Sequence, residues 1–212
     1  MAAVVAAKNT PISKEQALAA LQKAWGVVMS RELARSLLSL IWIETAGTQA
    51  MKNFNPGNIS ASDQYSGMLW RPPWYPEPTS DTPQKYADLH KAMLNKTAPS
   101  GFRAYGSLED GFRDFVNQLR HSFPEVVAAG EHGTPDQFRQ ALSQKYSHDY
   151  RNPQATATFE KLQAGFAPVV AHLPSGGSHR AGLAAVALTA AGLGAVYLAR
   201  STIKAVWGRF FG

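Results

Sequence analysis

Ser30-Arg-Glu-Leu-Ala-Arg-Ser-Leu-Leu-Ser-Leu-Ile-Trp-Ile-Glu44-Thr-Ala-Gly47 is the stretch around which the rest of the chain is organised. Apolar residues recur in it every three or four positions, which predicts a helix with one buried face. The residues on this face are Leu33, Leu37, Leu40 and Ile41, with Ala34 and Leu38 widening it. Ser30 is a suitable N-cap, and Gly47 is the expected end of the helix.

One acidic residue, Glu44, occupies the apolar face of this helix. It follows Leu40 by four residues, so its carboxyl group is predicted to point at the core from the last helical turn. Burial and the negative end of the helix dipole both disfavour the charged carboxylate at such a position. A carboxyl group held protonated near neutral pH is what general-acid cleavage of a glycosidic bond requires. Glu44 is therefore a candidate general acid; the alternative is that it pairs with an arginine or caps a loop.

The composition predicts one domain with an appendage, because 212 residues with 45% hydrophobic content can bury one good core. The net charge of +6 is unevenly distributed along the chain. Residues 1–172 carry 17 basic and 15 acidic residues, whereas residues 173–212 carry four basic residues and no acidic one. A basic excess in the tail favours an anionic membrane surface as partner and argues against a specific nucleic-acid groove. The chain has no cysteine, and its six histidines lack metal-ligand spacing, so we expect no metal and no cofactor.

Caps and apolar periodicity predict five further helices. Capping boxes open two of them, a serine followed by two acids opens another, and prolines mark the remaining starts. The predicted starts are Ser13, Ser107, Pro124, Thr134 and Asn152-Pro153. Gly26 and Gly130 are predicted to end the first and the third of these helices.

Residues 61–102 lose the helical period and are rich in proline and aromatic residues, which predicts a long irregular excursion or a short hairpin. The aromatic rings are suited to the apolar face of a sugar, and we favour this role for one or two of Tyr65, Trp70 and Trp74. The alternative is that these rings pin the excursion to the core. The turn-forming run just before it, residues 53–60, follows Glu44 closely and is therefore expected to position functional groups.

Residues 173–180 are predicted to form a flexible linker. Residues 181–212, which follow it, are predicted to form a membrane-interacting helix with a basic aromatic tail. Residues 181–199 carry no charge and are long enough to span a bilayer, although their alanine and glycine content makes insertion only marginally favourable. The alternatives are docking on a partner protein and association into a homo-oligomer through a small-residue face. This face comprises Ala184, Ala187, Ala191 and Gly194. The N-terminus does not have the pattern of a secretory signal, so any export is expected to use another route.

Four motifs, taken in order, resemble the bacterial and phage β-N-acetylglucosaminidase family of the flagellar-muramidase type. The resemblance covers roughly residues 30 to 165. The motifs are Ile41-Trp-Ile-Glu44-Thr-Ala-Gly47, Asn55-Pro-Gly-Asn58-Ile, Phe102-Arg-Ala-Tyr-Gly-Ser-Leu-Glu-Asp-Gly-Phe and Lys145-Tyr146-Ser-His-Asp149-Tyr150. The resemblance implies a lysozyme-like α domain that acts on the peptidoglycan glycan strand, with Glu44 as the general acid.

The same resemblance implies further site residues. Tyr146 matches a tyrosine that assists catalysis near the anomeric centre, Asn55 and Asn58 shape the cleft, and Tyr150 joins the substrate-binding residues. The sequence after Tyr146 departs from the family pattern, with Tyr150 in place of its proline. A second carboxylate is expected on the excursion. The candidates, among which the sequence does not choose, are Asp63, Glu77, Asp81 and Asp88. The alternative is that one acid suffices, because the N-acetyl group of the substrate acts as internal nucleophile or because the product is an anhydro-sugar.

Three functions follow as hypotheses. In the first, the protein cleaves peptidoglycan as a hydrolase or lytic transglycosylase, and is a phage virion component that reaches the periplasm and inner membrane during genome delivery. In the second, it is a structural or membrane-penetrating virion protein whose lysozyme-like domain only binds glycan or a neighbouring virion protein. In the third, it is a host protein anchored by its tail.

Overall fold

The computed structural model describes residues 2–61, 65–71, 101–146 and 148–176, with residues 84, 87 and 91. This part of the chain is mainly α, as the sequence predicts, with six helices and a small mixed sheet. Residues 177–212, which contain half of the predicted linker and the whole predicted membrane helix, lie outside the described residues. Within the described ranges, no helix has both the length and the apolar character that crossing a membrane would require.

The helices begin where the sequence predicts. They are α1 Lys14–Trp25, α2 Arg31–Glu44, α3 Leu108–Ser122, α4 Pro124–His132, α5 Pro135–Ala141 and α6 Gln154–Phe166. Each of the four predicted side-chain caps accepts a hydrogen bond from a backbone N–H of the first helical turn. These caps are Ser13, Ser30, Ser107 and Thr134. A π-helical segment, Leu142–Tyr146, and a 3-10 turn, His148–Arg151, separate α5 from α6.

Helix α2 lies at the centre of the helical core and packs against α1, α4 and α6. Its predicted apolar face is fully buried. The helix ends at Glu44, three residues before the predicted stop at Gly47. The reason is Thr45, whose hydroxyl donates to the Ile41 carbonyl at 2.6 Å and accepts from the Thr48 N–H at 3.1 Å, replacing the helical pattern. Gly47 instead adopts a positive φ of 66° in the following turn.

The prediction that Gly130 ends α4 is wrong, because the helix continues to His132 and its C-cap is Gly133. Gly130 lies where α4 meets α2, and the Ser36 hydroxyl donates to its carbonyl at 3.1 Å. A Cβ atom at this position would come within 3.2 Å of Leu33 Cδ1. The glycine therefore allows two helices to approach closely.

The sheet contains β1 Ala3–Val4, β2 Ser60–Ala61, β3 Met68–Trp70 and β4 Gly101–Ala104, in the order β1-β3-β4-β2. Strand β1 is parallel to β3, and the other neighbours are antiparallel. A hairpin is one of the two expectations for residues 61–102, and β3 and β4 do pair antiparallel. The N-terminal strand is not predicted from the sequence, because two exposed apolar residues carry no periodic signal.

Residues 173–176, assigned to the linker from their composition, belong to the folded domain. Leu173 is buried, and the Pro174 carbonyl accepts from the Arg31 N–H at 2.9 Å. The Gly176 N–H donates to Glu32 Oε2 at 2.8 Å. The first turn of a helix has N–H groups without helical partners, and the Pro174 carbonyl satisfies one of them. The domain therefore extends beyond residue 172, to at least residue 176.

Candidate active site

The Glu44 carboxyl group lies inside the protein at the C-terminal end of α2, as the spacing predicts. The residue is 8% exposed. The hydroxyl group of Tyr150, a residue only 5% exposed, donates to Glu44 Oε1 at 2.5 Å. A protonated carboxyl group keeps one oxygen that only accepts, so this hydroxyl can donate in either protonation state of Glu44. The two side chains form the centre of the candidate site.

The two predicted site tyrosines are both buried beside each other, with ring centroids 6.4 Å apart. The Tyr146 hydroxyl donates to the Gly57 carbonyl at 3.1 Å, and the Tyr150 hydroxyl donates to the Glu44 carboxyl. Thus Tyr150, assigned to substrate binding, orients the carboxyl group. Tyr146, assigned to catalysis, holds the loop next to it. Tyr146 ends the π-helical segment and Tyr150 lies in the 3-10 turn, so their proximity follows from the arrangement of these two short segments.

The loop after α2, residues 53–59, is fastened to the end of the helix by Asn58. The Asn58 side-chain amide donates to the backbone carbonyl of Glu44. Asn58 and Asn53 both adopt positive φ, a conformation that asparagine tolerates better than most residues. Gly57 packs against the ring of Phe115, where a Cβ atom would lie only 2.6 Å from Cδ2. The sequence therefore places a tight loop beside Glu44 because its residues fit both constraints.

Asn55 braces this loop from inside. It has no exposed surface. Its amide nitrogen donates to the carbonyls of Ile59 and Arg103 at 3.0 Å each, and its amide oxygen accepts from the Ile59 N–H at 2.8 Å. A direct contact with substrate is not open to Asn55 in this conformation. Its effect on a cleft would be through the shape of the loop.

The predicted sugar-binding aromatic residues differ in their surroundings. Trp70 is 1% exposed and stacks on Phe102, with ring centroids 4.9 Å apart. This ring pins the sheet together, which was the alternative interpretation, and it offers no face to a sugar in this conformation. Tyr65 is partly exposed, and the Arg103 guanidinium lies 4.9 Å from its ring centroid. Trp74 and the four candidate second carboxylates lie outside the described residues.

A cluster of polar side chains on the sheet side of the loop was not predicted from the sequence. Asp114 of α3 accepts from Arg103 Nη1 at 2.7 Å and from the Tyr105 hydroxyl at 2.5 Å. Burial, followed by the nearby Asp114 charge, raises the pKa of Tyr105 strongly. The available signal was the alternation of β4, which directs Arg103 and the following Tyr105 to one face. This cluster joins β4 to α3 and supports the strand that Asn55 contacts.

A cavity of about 570 Å³ lies between α1 and residues 168–172. Leu18, Val169 and His172 line it, together with neighbours on the same two segments, and no predicted site residue does. Among the described residues, no three His, Asp or Glu side chains are arranged to hold a metal ion.

Comparison of the chain with family models, curated proteins and solved structures gives no match. The class of site is therefore defined by its geometry. The site is a buried glutamate at the end of a central helix. The glutamate accepts a hydrogen bond from a tyrosine and lies beside a loop braced by an asparagine.

Proposed function

We propose that the protein cleaves the β-1,4 bond between N-acetylated amino sugars in the peptidoglycan glycan strand, with a lysozyme-like domain and Glu44 as the general acid. The proposal is based on the surroundings of Glu44, which is 8% exposed and whose carboxyl group accepts a hydrogen bond from the Tyr150 hydroxyl. A buried carboxyl group held in one orientation at the end of a helix is placed to act as a proton donor to the leaving oxygen. The order of the four motifs supports the choice of substrate.

In this mechanism the Tyr150 hydroxyl sets the orientation of the carboxyl group, and Tyr146 and Asn58 hold the adjoining loop against the end of α2. Glu44 protonates the glycosidic oxygen as the bond to the anomeric carbon breaks. The positive charge that develops there is met by a second carboxylate, or by the N-acetyl group of the substrate. Attack by water then completes hydrolysis, whereas attack by a hydroxyl of the same sugar forms an anhydro product; in both cases the proton of the attacking group returns to the Glu44 carboxylate.

The proposal extends to a place of action. The basic, aromatic tail of residues 202–212 and the uncharged segment before it suit an anionic membrane. We propose a virion component of a phage that acts in the host envelope, with peptidoglycan, the inner membrane and other virion proteins as its partners. Homo-oligomerisation through the C-terminal helix belongs to the same proposal.

Two observations favour a second candidate, a non-catalytic virion protein that uses this domain to bind glycan or a partner. Glu44 and Tyr150 have little exposed surface, and the cavity between α1 and residues 168–172 lies away from them. A buried carboxyl group with a hydrogen-bond donor also occurs in purely structural sites.

Digestion of purified peptidoglycan by the full-length chain in a mild detergent tests the first proposal. The wild type is compared with Glu44→Gln and with Glu160→Gln, a matched substitution of an exposed glutamate on α6. Since general-acid catalysis typically contributes about 10²–10⁴-fold, we expect Glu44→Gln to lose at least about 100-fold of the release rate. Mass spectrometry of the products distinguishes reducing from anhydro ends.

Glu160→Gln should release sugars at the wild-type rate. Release by folded Glu44→Gln at that rate would remove Glu44 from the mechanism. Binding of glycan without any release by the wild type would favour the second candidate.

A further inference from the structure

One arginine is buried close to the candidate site, and the proposed chemistry makes no use of it. Arg139, on α5, is 8% exposed. Arginine is rarely buried unless its charge and donors are paired, because removing a guanidinium from water is costly. The position of this side chain therefore requires an explanation from its contacts.

The Arg139 guanidinium binds the carbonyls of two successive peptide groups, beginning with that of the site tyrosine. Its Nη1 donates to the Tyr150 carbonyl at 2.8 Å and to the Arg151 carbonyl at 3.4 Å. These carbonyls end the 3-10 turn and have no continuing helix to bond with. One cation thus connects α5 to the end of this turn across ten intervening residues.

The Nε–H of the same guanidinium is shared between acceptors on two helices. Nε donates to Asp136 Oδ1 at 2.9 Å and to the Thr156 hydroxyl oxygen at 2.8 Å. The Thr156 hydroxyl itself donates to Asp136 Oδ1 at 2.8 Å. Asp136 lies on α5 and Thr156 on α6, so the cation is held in place from both. We call these three side chains, Arg139, Asp136 and Thr156, the arginine clamp.

Tyr150 is consequently held at both of its ends. Its backbone carbonyl is bound by the clamp and its hydroxyl by Glu44, while its ring packs against Phe159 with centroids 5.7 Å apart. A shift of the 3-10 turn would move the hydroxyl group away from the carboxyl oxygen. Fixing the turn is therefore a way to fix the orientation of the Glu44 carboxyl group.

We propose that Arg139 is a positioning residue, whose guanidinium holds the Tyr150 backbone so that the Tyr150 hydroxyl orients the Glu44 carboxyl group. Its catalytic consequence rests on the proposed function of Glu44, but the clamp itself does not. Lysine is not equivalent at this position, because one ammonium group lacks the planar fork that reaches both the Tyr150 carbonyl and Asp136.

A spectroscopic measurement tests the clamp without requiring activity. The full-length chain in detergent is labelled with ¹³C at the glutamate side-chain carboxyl, and the Glu44 signal is assigned by its loss in Glu44→Gln. Tyr150→Phe gives the signal of Glu44 without the hydroxyl donor. We expect Arg139→Lys, Arg139→Met and Thr156→Val to shift the Glu44 signal toward that of Tyr150→Phe.

The matched control is Arg113→Met, on an exposed arginine of α3 that pairs with Glu109 and Asp110. It should leave the Glu44 signal in place. Near-ultraviolet circular dichroism checks that each variant is folded, and Thr156→Val decides the question if Arg139→Met does not fold. A folded clamp variant whose Glu44 signal coincides with that of the wild type would overturn the proposal.

Kinetics give a second readout if the protein cleaves peptidoglycan. Misplacement of a catalytic group by about 1 Å can cost on the order of 100-fold in rate, so we expect kcat of Arg139→Lys and Tyr150→Phe to fall by about 10–100-fold. KM should stay within about twofold, because substrate binding is not the step affected. If the wild type shows no cleavage, the proposed function fails, while the carboxyl signal still decides the clamp.

Discussion

Replacing Asn55 by alanine is expected to lower the free energy of unfolding by about 1.5–4.5 kcal/mol. The Asn55 side chain is fully buried and makes three hydrogen bonds of 2.8–3.0 Å, to Ile59 twice and to Arg103 once. Each such bond contributes roughly 0.5–1.5 kcal/mol net. Alanine also leaves two carbonyl groups and one N–H group buried without these partners, which favours the upper half of the range.

Two further variants separate this brace from general effects of substitution. Asn55→Asp keeps an acceptor for the Ile59 N–H but turns an oxygen toward the carbonyls of Ile59 and Arg103, so it should be at least as destabilising as alanine. Asn117→Ala replaces an exposed asparagine on α3 and should change stability by no more than about 0.5 kcal/mol.

Urea unfolding of the full-length chain, followed by circular dichroism, measures the effect. With a slope of about 2 kcal/mol per molar urea, the transition midpoint of Asn55→Ala should fall by roughly 1–2 M. A folded Asn55→Ala protein that loses less than about 1 kcal/mol, yet binds glycan more weakly, would refute the argument. In that case Asn55 would be a substrate contact and not a brace.

Two more predictions concern helix packing and acid stability. Gly130→Ala should lower the free energy of unfolding, measured by thermal unfolding, by about 1–3 kcal/mol, because its Cβ would crowd the contact between α4 and α2. Gly165→Ala, at an open helical position, should be neutral or stabilising. Equal effects of the two substitutions would contradict this packing. The hydrogen bond from Thr156, and then Arg139, lowers the pKa of Asp136 below its usual 3.8. Its contribution to stability is therefore present above pH 3.8 and lost as the pH falls through the lower folded-state pKa. The stability difference between the wild type and Asp136→Asn should shrink over that acid range, and a difference that stays constant there would show that Asp136 carries no such linkage.

The helices were largely predictable because their signals are local. A cap acts on N–H groups two or three residues away, and apolar spacing reflects the geometry of a single helix. All four predicted side-chain caps are present at helix N-termini, at Ser13, Ser30, Ser107 and Thr134. The errors at Gly47 and Gly130 have different causes. Thr45 ends α2 before Gly47 is reached, and Gly47 lies in the turn that follows. Gly130 allows α2 to approach α4, a use of glycine that only the neighbouring helix distinguishes from helix termination.

The candidate site was predictable only in part. The burial of Glu44 followed from its spacing on α2, and the loop beside it followed from its turn-forming residues. The partner of its carboxyl group did not follow, because Tyr150 is 106 residues away in the chain. The burial of Trp70 was likewise open, since an aromatic residue in an irregular segment can face a ligand or the core.

Local sequence thus specifies where α1 to α6 begin, which face of α2 is buried and that Glu44 lies on that face. The folded chain alone specifies that Tyr150 meets Glu44, that Asn55 braces the loop and that Arg139 holds the 3-10 turn. The physical reason is the range of the interactions. Caps and periodicity operate within one or two helical turns, whereas a buried polar group takes its partner from whatever donor or acceptor the packing of distant segments brings within about 3 Å.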